Sequence, residues 1–405
     1  MNDVLSDIEA WLRAGQRVAV ARVVEVIGSG PRLAGAVVAV TGSGEVAGSA
    51  AGGCLEGAII ERAGALLETG GTAQLLSFGP ADDDYFSLGL ACGGSTEVFV
   101  EVVEPELVTG PGAVLAELSG ALGAGRPVAL VEVIEGPGHL LAHKALVYEG
   151  SRSCSLPGCS TDLATTVAGD ARLDLALARN YVHRYHVPGQ PQPLTVFVEA
   201  FPAAPVMVIF GAAGVSSALV TQARLLGYRT VICDARALFC SQARFPSADE
   251  VVVDWPDRYL ARAGGALTGR DAICVLTHDP KFDIPAIVGA LATNVGYIGL
   301  MGSRRAQAER QDRLRQAGVS EADLGRLHGP IGLDLGAASP AETAVSICAE
   351  IIAARTGRPG GPLAATTGPI HGPGARAAGL PARAGASLEP ARRSSRPPRL
   401  SQPLG

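Results

Sequence analysis

A unit near the start of the chain is written twice. Ala14-Gly15-x-x-Val18-Ala19 returns 110 residues later as Ala124-Gly125-x-x-Val128-Ala129, and Val23-Val24-Glu25 returns as Val133-Ile134-Glu135 at the same offset. Gly53-Cys54 is matched by Gly158-Cys159, and Val98-Phe99-Val100-Glu101 reappears letter for letter as Val196-Phe197-Val198-Glu199. The offset shrinks along the unit, so the second copy has lost loop residues. A repeat of this length predicts two related units, each a copy of one small fold. Strands are expected at 18–26, 36–41 and 96–103, with helices at 4–14 and 55–68. The first 200 residues therefore read as one N-terminal mixed α/β module built from an internal repeat.

The pattern changes after Pro202 and Pro205. Residues 205–210 form an unbroken apolar run suited to a buried parallel strand. A helix follows at 215–226, closed by Gly227, and strands are expected at 229–233, 250–253, 272–277 and 295–300. Helices are expected at 281–292 and 304–317. Ser339-Pro340-Ala341-Glu342 carries an N-cap, a proline at the first helical position and a capping-box glutamate, which predicts a last helix to about Arg355. Five parallel strands with crossover helices make a Rossmann-like doubly wound parallel sheet. The expected organisation is a first unit over 1–105, a second unit and linker over 106–203, a Rossmann-like domain over 204–355 and a disordered C-terminal tail over 356–405. The tail holds nine Pro, nine Gly, seven Arg and one acid, Glu389, with no apolar periodicity.

The net charge of −6 divides accordingly into about −12 on the body and +6 on the tail. An acidic body argues against a general nucleic-acid binder. The first residues lack the basic and apolar regions of a signal peptide. The uncharged stretch over 201–223 is broken by Pro202, Pro205, Gly211 and Gly214, so no membrane span is expected. Eight irregularly spaced cysteines without C-x-x-C spacing point to free thiols in a reducing cytoplasm.

Three groups of residues carry possible chemistry. Gly211-Ala212-Ala213-Gly214-Val215-Ser216 lies between a strand and a helix, and Asp234 follows at the end of the next strand. That is the context of a dinucleotide fingerprint, with Asp234 able to hold ribose hydroxyls. Ala213 and Ser216 stand where the fingerprint has glycine, which weakens phosphate approach at this turn. A second group comprises His278 and Gly302-Ser303-Arg304-Arg305, with Asp334 in the turn Gly329-Pro330-Ile331-Gly332-Leu333-Asp334. The helix start and paired arginines form an anion cradle where α/β sheets bind ligands. The third group is Gly52-Gly53-Cys54-Leu55-Glu56 and Ala91-Cys92-Gly93-Gly94. A helix N-terminus favours thiolate at Cys54, and a thiolate can ligate a soft metal or carry sulfur. Cys233, Cys274 and Cys348 sit in apolar runs and read as small core residues. His183 and His186 lack a neighbouring ligand and read as structural.

These segments resemble the xanthine dehydrogenase accessory factor (XdhC/CoxI) family. Gly28-Ser29-Gly30-Pro31-Arg32 and the two cysteine turns are similar to its N-terminal domain. Phe210-Gly211-Ala212, Tyr297-Ile298-Gly299-Leu300-Met301-Gly302-Ser303-Arg304-Arg305, Pro330-Ile331-Gly332-Leu333-Asp334-Leu335-Gly336 and Pro340-Ala341-Glu342 are similar to its Rossmann domain. The resemblance covers about 1–355. It implies a maturation chaperone that binds the molybdenum cofactor (molybdopterin, plain or as a dinucleotide form), assists its sulfuration and inserts it into the apo-subunit of a molybdenum hydroxylase. The implied recipient is a xanthine dehydrogenase or carbon monoxide dehydrogenase type enzyme, and the implied sulfur source is a cysteine desulfurase. The resemblance further implies a homo-oligomer and an accessory rather than catalytic part. Under it, Arg32, Glu56, Gly211, Gly214, Asp234, His278, Gly302, Ser303, Arg304, Arg305 and Asp334 are expected to hold the cofactor. Cys54 and Cys92 are expected at the metal and in sulfur handling. The residues alone leave open two other classes, an NAD(P)-dependent oxidoreductase and a thiol redox sensor based on Cys54 and Cys92.

Overall fold

Each copy of the repeat folds as a helix, an antiparallel sheet and a second helix on the sheet's outer face. The computed structural model describes residues 1–27, 32–53, 55–79, 94–109, 113–187 and 192–367. The first copy runs α1 (Asn2–Arg13), β1 (Val18–Ile27), β2 (Val37–Thr41), β3 (Val46–Ser49), α2 (Glu56–Thr69), β4 (Ala73–Phe78) and β5 (Ser95–Val103). Its sheet has the order β3-β2-β1-β5-β4, antiparallel throughout. The second copy runs α3 (Glu106–Thr109), α4 (Val114–Gly123), β6 (Val128–Glu135), β7 (Lys144–Val147), α5 (Thr161–Ala176), β8 (Tyr181–Tyr185) and β9 (Leu194–Phe201), in the order β7-β6-β9-β8. Even the irregularities repeat. The β1–β5 register shifts between Val23 and Glu25, and the β6–β9 register shifts between Val133 and Glu135.

Strand alternation divides the residues between two faces. Ala19, Ala21 and Val23 pack with Leu55, Ile59 and Ala63 around α2. Ala129, Val131 and Val133 do the same with Val167, Ala168 and Ala171 of α5. The opposite faces of the two sheets meet. Val18 and Val20 join Val128 and Leu130 in a core with α1 and α4. Val24 and Phe99 join their repeat equivalents Ile134 and Phe197 in another. Strands buried on both sides explain why 18–24 and 128–134 are nearly continuous Val, Ala, Leu and Ile.

The third unit is the expected parallel sheet. It comprises β10 (Val206–Phe210), α6 (Gly214–Leu225), β11 (Arg229–Cys233), β12 (Glu250–Val252), α7 (Pro256–Ala263), β13 (Ala272–Val275), α8 (Pro280–Leu291), β14 (Tyr297–Leu300), α9 (Arg304–Gln316), α10 (Glu321–Leu324), β15 (Leu327–His328) and α11 (Pro340–Thr356). The order β12-β11-β10-β13-β14-β15 has six strands rather than the expected five. The additional β15 has two residues, too short to leave a periodic trace in sequence. The strands all run parallel, and the direction in which successive strands are added reverses between β10 and β13, the switch point where such sheets open a crevice at their carboxyl ends. The capping box at Ser339 and Glu342 forms as expected, and α11 closes at Gly357 in the left-handed conformation. Of the expected disordered tail, residues 368–405 lie outside the described residues.

Candidate functional site

The carboxyl edge of the parallel sheet brings together most of the residues singled out in the second half of the sequence. Gly211 leaves β10 with φ +110°, and a Cβ there would stand 2.9 Å from Thr277 Cγ2 and 3.1 Å from Thr277 N. Only glycine fits so close an approach between the ends of β10 and β13. Beyond it, the Ala212 amide donates to Asp234 Oδ2 at 2.8 Å. The Ala213 amide donates to Ser216 Oγ at 3.2 Å, and that hydroxyl donates to the Gly211 carbonyl at 2.6 Å. The turn thus commits two of its amides to partners inside the protein, and one of those partners is Ser216, in the place of a fingerprint glycine. Gly214 opens α6 and is exposed.

Asp234 is buried and fully engaged. Oδ1 accepts from the Arg236 amide and from Arg236 Nε, both at 2.9 Å, and Oδ2 accepts from Arg236 Nη2 at 2.7 Å as well as from Ala212. Burial opposes its ionisation, but the Arg236 fork and two amide bonds outweigh that and hold the carboxyl below its ordinary range. Arg236 is not among the expected residues. Its signal is the spacing: an arginine two positions after the acid at a strand end.

On the other side of the crevice, His278 is exposed after β13, and Asp279 caps α8 by accepting from the Lys281 amide. Ser303 caps α9 by accepting from the Ala306 amide at 3.2 Å. Gly302 sits at φ +145°, with Gln307 and Arg310 beneath it. Arg310, also unforeseen, fixes this loop from below. Its Nη2 donates to Asp283 at 2.8 Å and to the Met301 carbonyl at 3.1 Å, and its Nη1 donates to Gln307 at 2.7 Å. Gln307 in turn donates to the Leu300 carbonyl, and Thr277 bonds Asp283. Arg304 and Arg305 are each 89% exposed. Arg304 lies 4.0 Å from an equally exposed Asp334, and Arg305 pairs with Glu309. The loop carrying Asp334 is tied to α11 where the Gly332 amide donates to Glu350 and Ser346 Oγ donates to the Leu333 carbonyl. The edge therefore combines a locked backbone with outward guanidinium groups, an arrangement suited to anions.

The remaining expected residues belong to the first repeat. Arg32 is exposed in the loop after β1. Glu56 opens α2 and its carboxylate accepts from the Ala50 and Ala51 amides, both at 2.9 Å, and from Ser49 Oγ at 3.1 Å. Its oxygens fold the loop over 49–53 rather than face outward. Gly52 and Gly53 adopt φ +62° and +108° with open space about them. Cys54, Cys92 and the segment Gly28–Pro31 lie outside the described residues. Among the described residues there is no group of three metal-ligating side chains and no helix long and apolar enough to cross a membrane. The His183 Nε2–H donates to Asp174 Oδ2 at 2.6 Å within the second repeat, in keeping with a structural part.

Comparison with known proteins gives matches in both halves. Residues 11–79 match the XdhC and CoxI family, and residues 207–351 match the XdhC Rossmann domain. A Bacillus subtilis (strain 168) protein, named as a probable subunit of xanthine dehydrogenase, is 27% identical over 351 residues, 86% of this chain and 96% of its own length. The Escherichia coli (strain K12) protein named "Molybdenum cofactor insertion chaperone PaoD" is 26% identical over 99 residues, 24% of this chain and 31% of that protein. A crystal structure described as a xanthine dehydrogenase from Bacillus halodurans superposes with a TM-score of 0.63 at 24% identity, covering 89% of this chain and 98% of that one. That likeness establishes the fold.

Proposed function

Because this chain belongs to the XdhC and CoxI family, we propose that it is a maturation chaperone for the molybdenum cofactor. It holds the cofactor as cargo, assists its sulfuration with a cysteine desulfurase, and hands it to the apo-subunit of a molybdenum hydroxylase. One observation carries the reading: both family segments occur in a single chain, one in each half, and part of that chain aligns with a relative named as a cofactor insertion chaperone. The geometry supports it. The cargo carries phosphate, and Arg304, Arg305 and His278 stand exposed on a backbone locked by Arg310. Cys54, beside a helix start and two open glycines, is the proposed thiolate for transient metal ligation or sulfur handling, with Cys92 as its partner.

Anaerobic mixing with molybdopterin cofactor, desalting and assay of pterin in the protein fraction tests the reading. Retention is expected, and Cys54→Ala or Cys92→Ala should lower retention or delivery to an apo-hydroxylase with the fold unchanged. Absence of pterin from the folded protein would overturn the proposal. The nicotinamide oxidoreductase reading needs Asp234 for ribose hydroxyls, and four hydrogen bonds already occupy its oxygens.

A further inference from the structure

The segments after β11, β12 and β13 gather aromatic rings and cations beside the Asp234 that holds the Gly211 turn. Phe282 lies buried at the base, 6% exposed, with the Trp255 ring centred 5.0 Å from its own. Arg236 Cζ stands 4.9 Å over the Phe239 ring and 5.8 Å over Phe282. Lys281 Nζ is 4.9 Å over Phe282, and Arg244 Cζ is 5.4 Å over Phe239. Trp255 and Phe239 are each 38% exposed, and Leu238 beside them is 83% exposed. The segments after β11 and β12 thus bring the half-exposed rings of Phe239 and Trp255 beside the Arg236 guanidinium, over the buried Phe282 that follows β13, a combination that stacks a planar heterocycle.

Charge at this edge favours an anion. Of the nearby acids, Asp234 pairs with Arg236, Asp279 with Lys281 and Asp254 with Arg262. Arg244 has no ion-pair partner among the described residues. Arg236 gives Nε and Nη2 to Asp234, which leaves about three of the five guanidinium N–H groups facing outward. A dinucleotide would also need the amides of the Gly211 turn for its pyrophosphate, and those of Ala212 and Ala213 are already taken by Asp234 and Ser216.

From this we infer that the edge formed by Arg236, Phe239, Trp255 and Phe282 binds a nucleoside monophosphate. The base lies against Trp255 and Phe239, and the single phosphate takes the outward N–H groups of Arg236. The inference goes beyond the cargo reading and does not depend on it.

Titration of the full-length chain tests it, with Trp11→Phe leaving Trp255 as the reporting tryptophan. Cytidine and adenosine monophosphates are expected to quench its emission saturably. Arg236→Gln should weaken them about 10- to 100-fold, as removal of a charge-assisted hydrogen bond does. The unphosphorylated nucleosides should bind no better to the unaltered chain than the monophosphates bind to Arg236→Gln. NAD should bind more weakly than the monophosphates, since its second phosphate finds no donor. Should Arg236→Gln fail to fold, Phe239→Ala read by calorimetry replaces it, with a loss of similar size expected. The inference is overturned if no monophosphate binds up to millimolar concentration, if the variants bind as tightly as the unaltered chain, or if nucleosides bind equally well. It is also overturned if Leu238→Asp changes self-association while nucleotides leave the emission untouched, because the patch is then a protein-binding surface. Molybdopterin retained without nucleotide binding strikes this inference alone, and nucleotide binding without molybdopterin retention strikes the cargo reading alone.

Discussion

Arginine stands beside carboxylate in two contrasting settings in this molecule. Between the two repeat sheets, Arg22 is 1% exposed and donates to Glu132, with Glu199 3.4 Å away. Lys144, one of only two lysines in the chain, pairs there with Glu101 and with Glu132 at 2.7 Å, and the Met1 amino nitrogen donates to Glu199 at 2.9 Å. At the edge of the parallel sheet, Arg236 forks Asp234 but its side chain is 48% exposed. Taking a charge fully out of water costs several kcal/mol, so the buried group must be consumed by its neighbours. The half-exposed arginine meets no such demand and keeps donors for a ligand. Symmetry sharpens the difference. Arg22 and Glu132 occupy equivalent positions of the repeat, as do Glu101 and Glu199. Residues at a two-fold axis face their own equivalents, where identical charges would repel. Here the two copies carry opposite charges at that position, and the pair forms.

The largest effect expected from breaking this contrast is at Arg22. Arg22→Leu leaves Glu132 with Lys144 alone and Glu199 without its arginine, and should destabilise the chain by about 3–5 kcal/mol. Arg22→Leu combined with Glu132→Leu removes both charges and should cost clearly less than the single change. Urea unfolding of the two variants checks this. A double variant as unstable as the single one would mean that packing volume, rather than charge pairing, holds the sheets together.

That interface also marks the limit of what can be read from sequence. The repeat is visible because Val98–Glu101 and Val196–Glu199 are the same four residues, and they prove to be the middle of the equivalent strands β5 and β9. Equivalence gives two residues the same place in two units. It does not say that the units meet face to face, so the pairing of Arg22 with Glu132 emerges only from packing. The parallel half follows the same rule. Gly211 can be named because a turn with positive φ excludes side chains, and Ser339 because capping is local. The consumption of Asp234 by Arg236, and of the turn's amides by Asp234 and Ser216, depends on tertiary geometry that spacing does not encode. Cys54 and Cys92 rest on sequence alone.

A smaller effect is expected from pH. Burial and the neighbouring Glu132 push the Glu101 carboxyl up to about 7 from 4.5, although Lys144 and Arg22 oppose the shift. A carboxyl whose folded value lies above its unfolded one stabilises the fold fully below the unfolded value. That stabilisation is lost as pH rises through the folded value. Stability should therefore fall between about pH 4.5 and 7 in the native chain. Burial opposes ionisation of Glu132, but Arg22 and Lys144 lower its carboxyl to about 2, so its contribution is lost only as pH falls below about 4.5. Glu101→Gln should flatten the slope on the higher side and leave the acid limb in place. Denaturant midpoints across this range, compared between the two chains, give the answer. An unchanged slope in Glu101→Gln would assign the pH dependence to another group.

At the sheet edge the contrast predicts almost no effect on stability and a clear effect on binding. Arg304 and Arg305 touch only exposed acids, Asp334 and Glu309, and such pairs contribute roughly 0–1 kcal/mol. Arg304→Ala with Arg305→Ala should shift the unfolding midpoint by no more than that, while Ser303 and Gly302 keep their places over Arg310. If these guanidinium groups meet the cargo's phosphate, retention should weaken by about 10- to 100-fold for each guanidinium removed, and more steeply at low salt. Equilibrium dialysis with molybdopterin at two ionic strengths separates the outcomes. Full retention by the double variant would move the phosphate to another part of the crevice. A large fall in stability would mean that the two arginines, despite their exposure, belong with Arg22 among the residues that hold the fold.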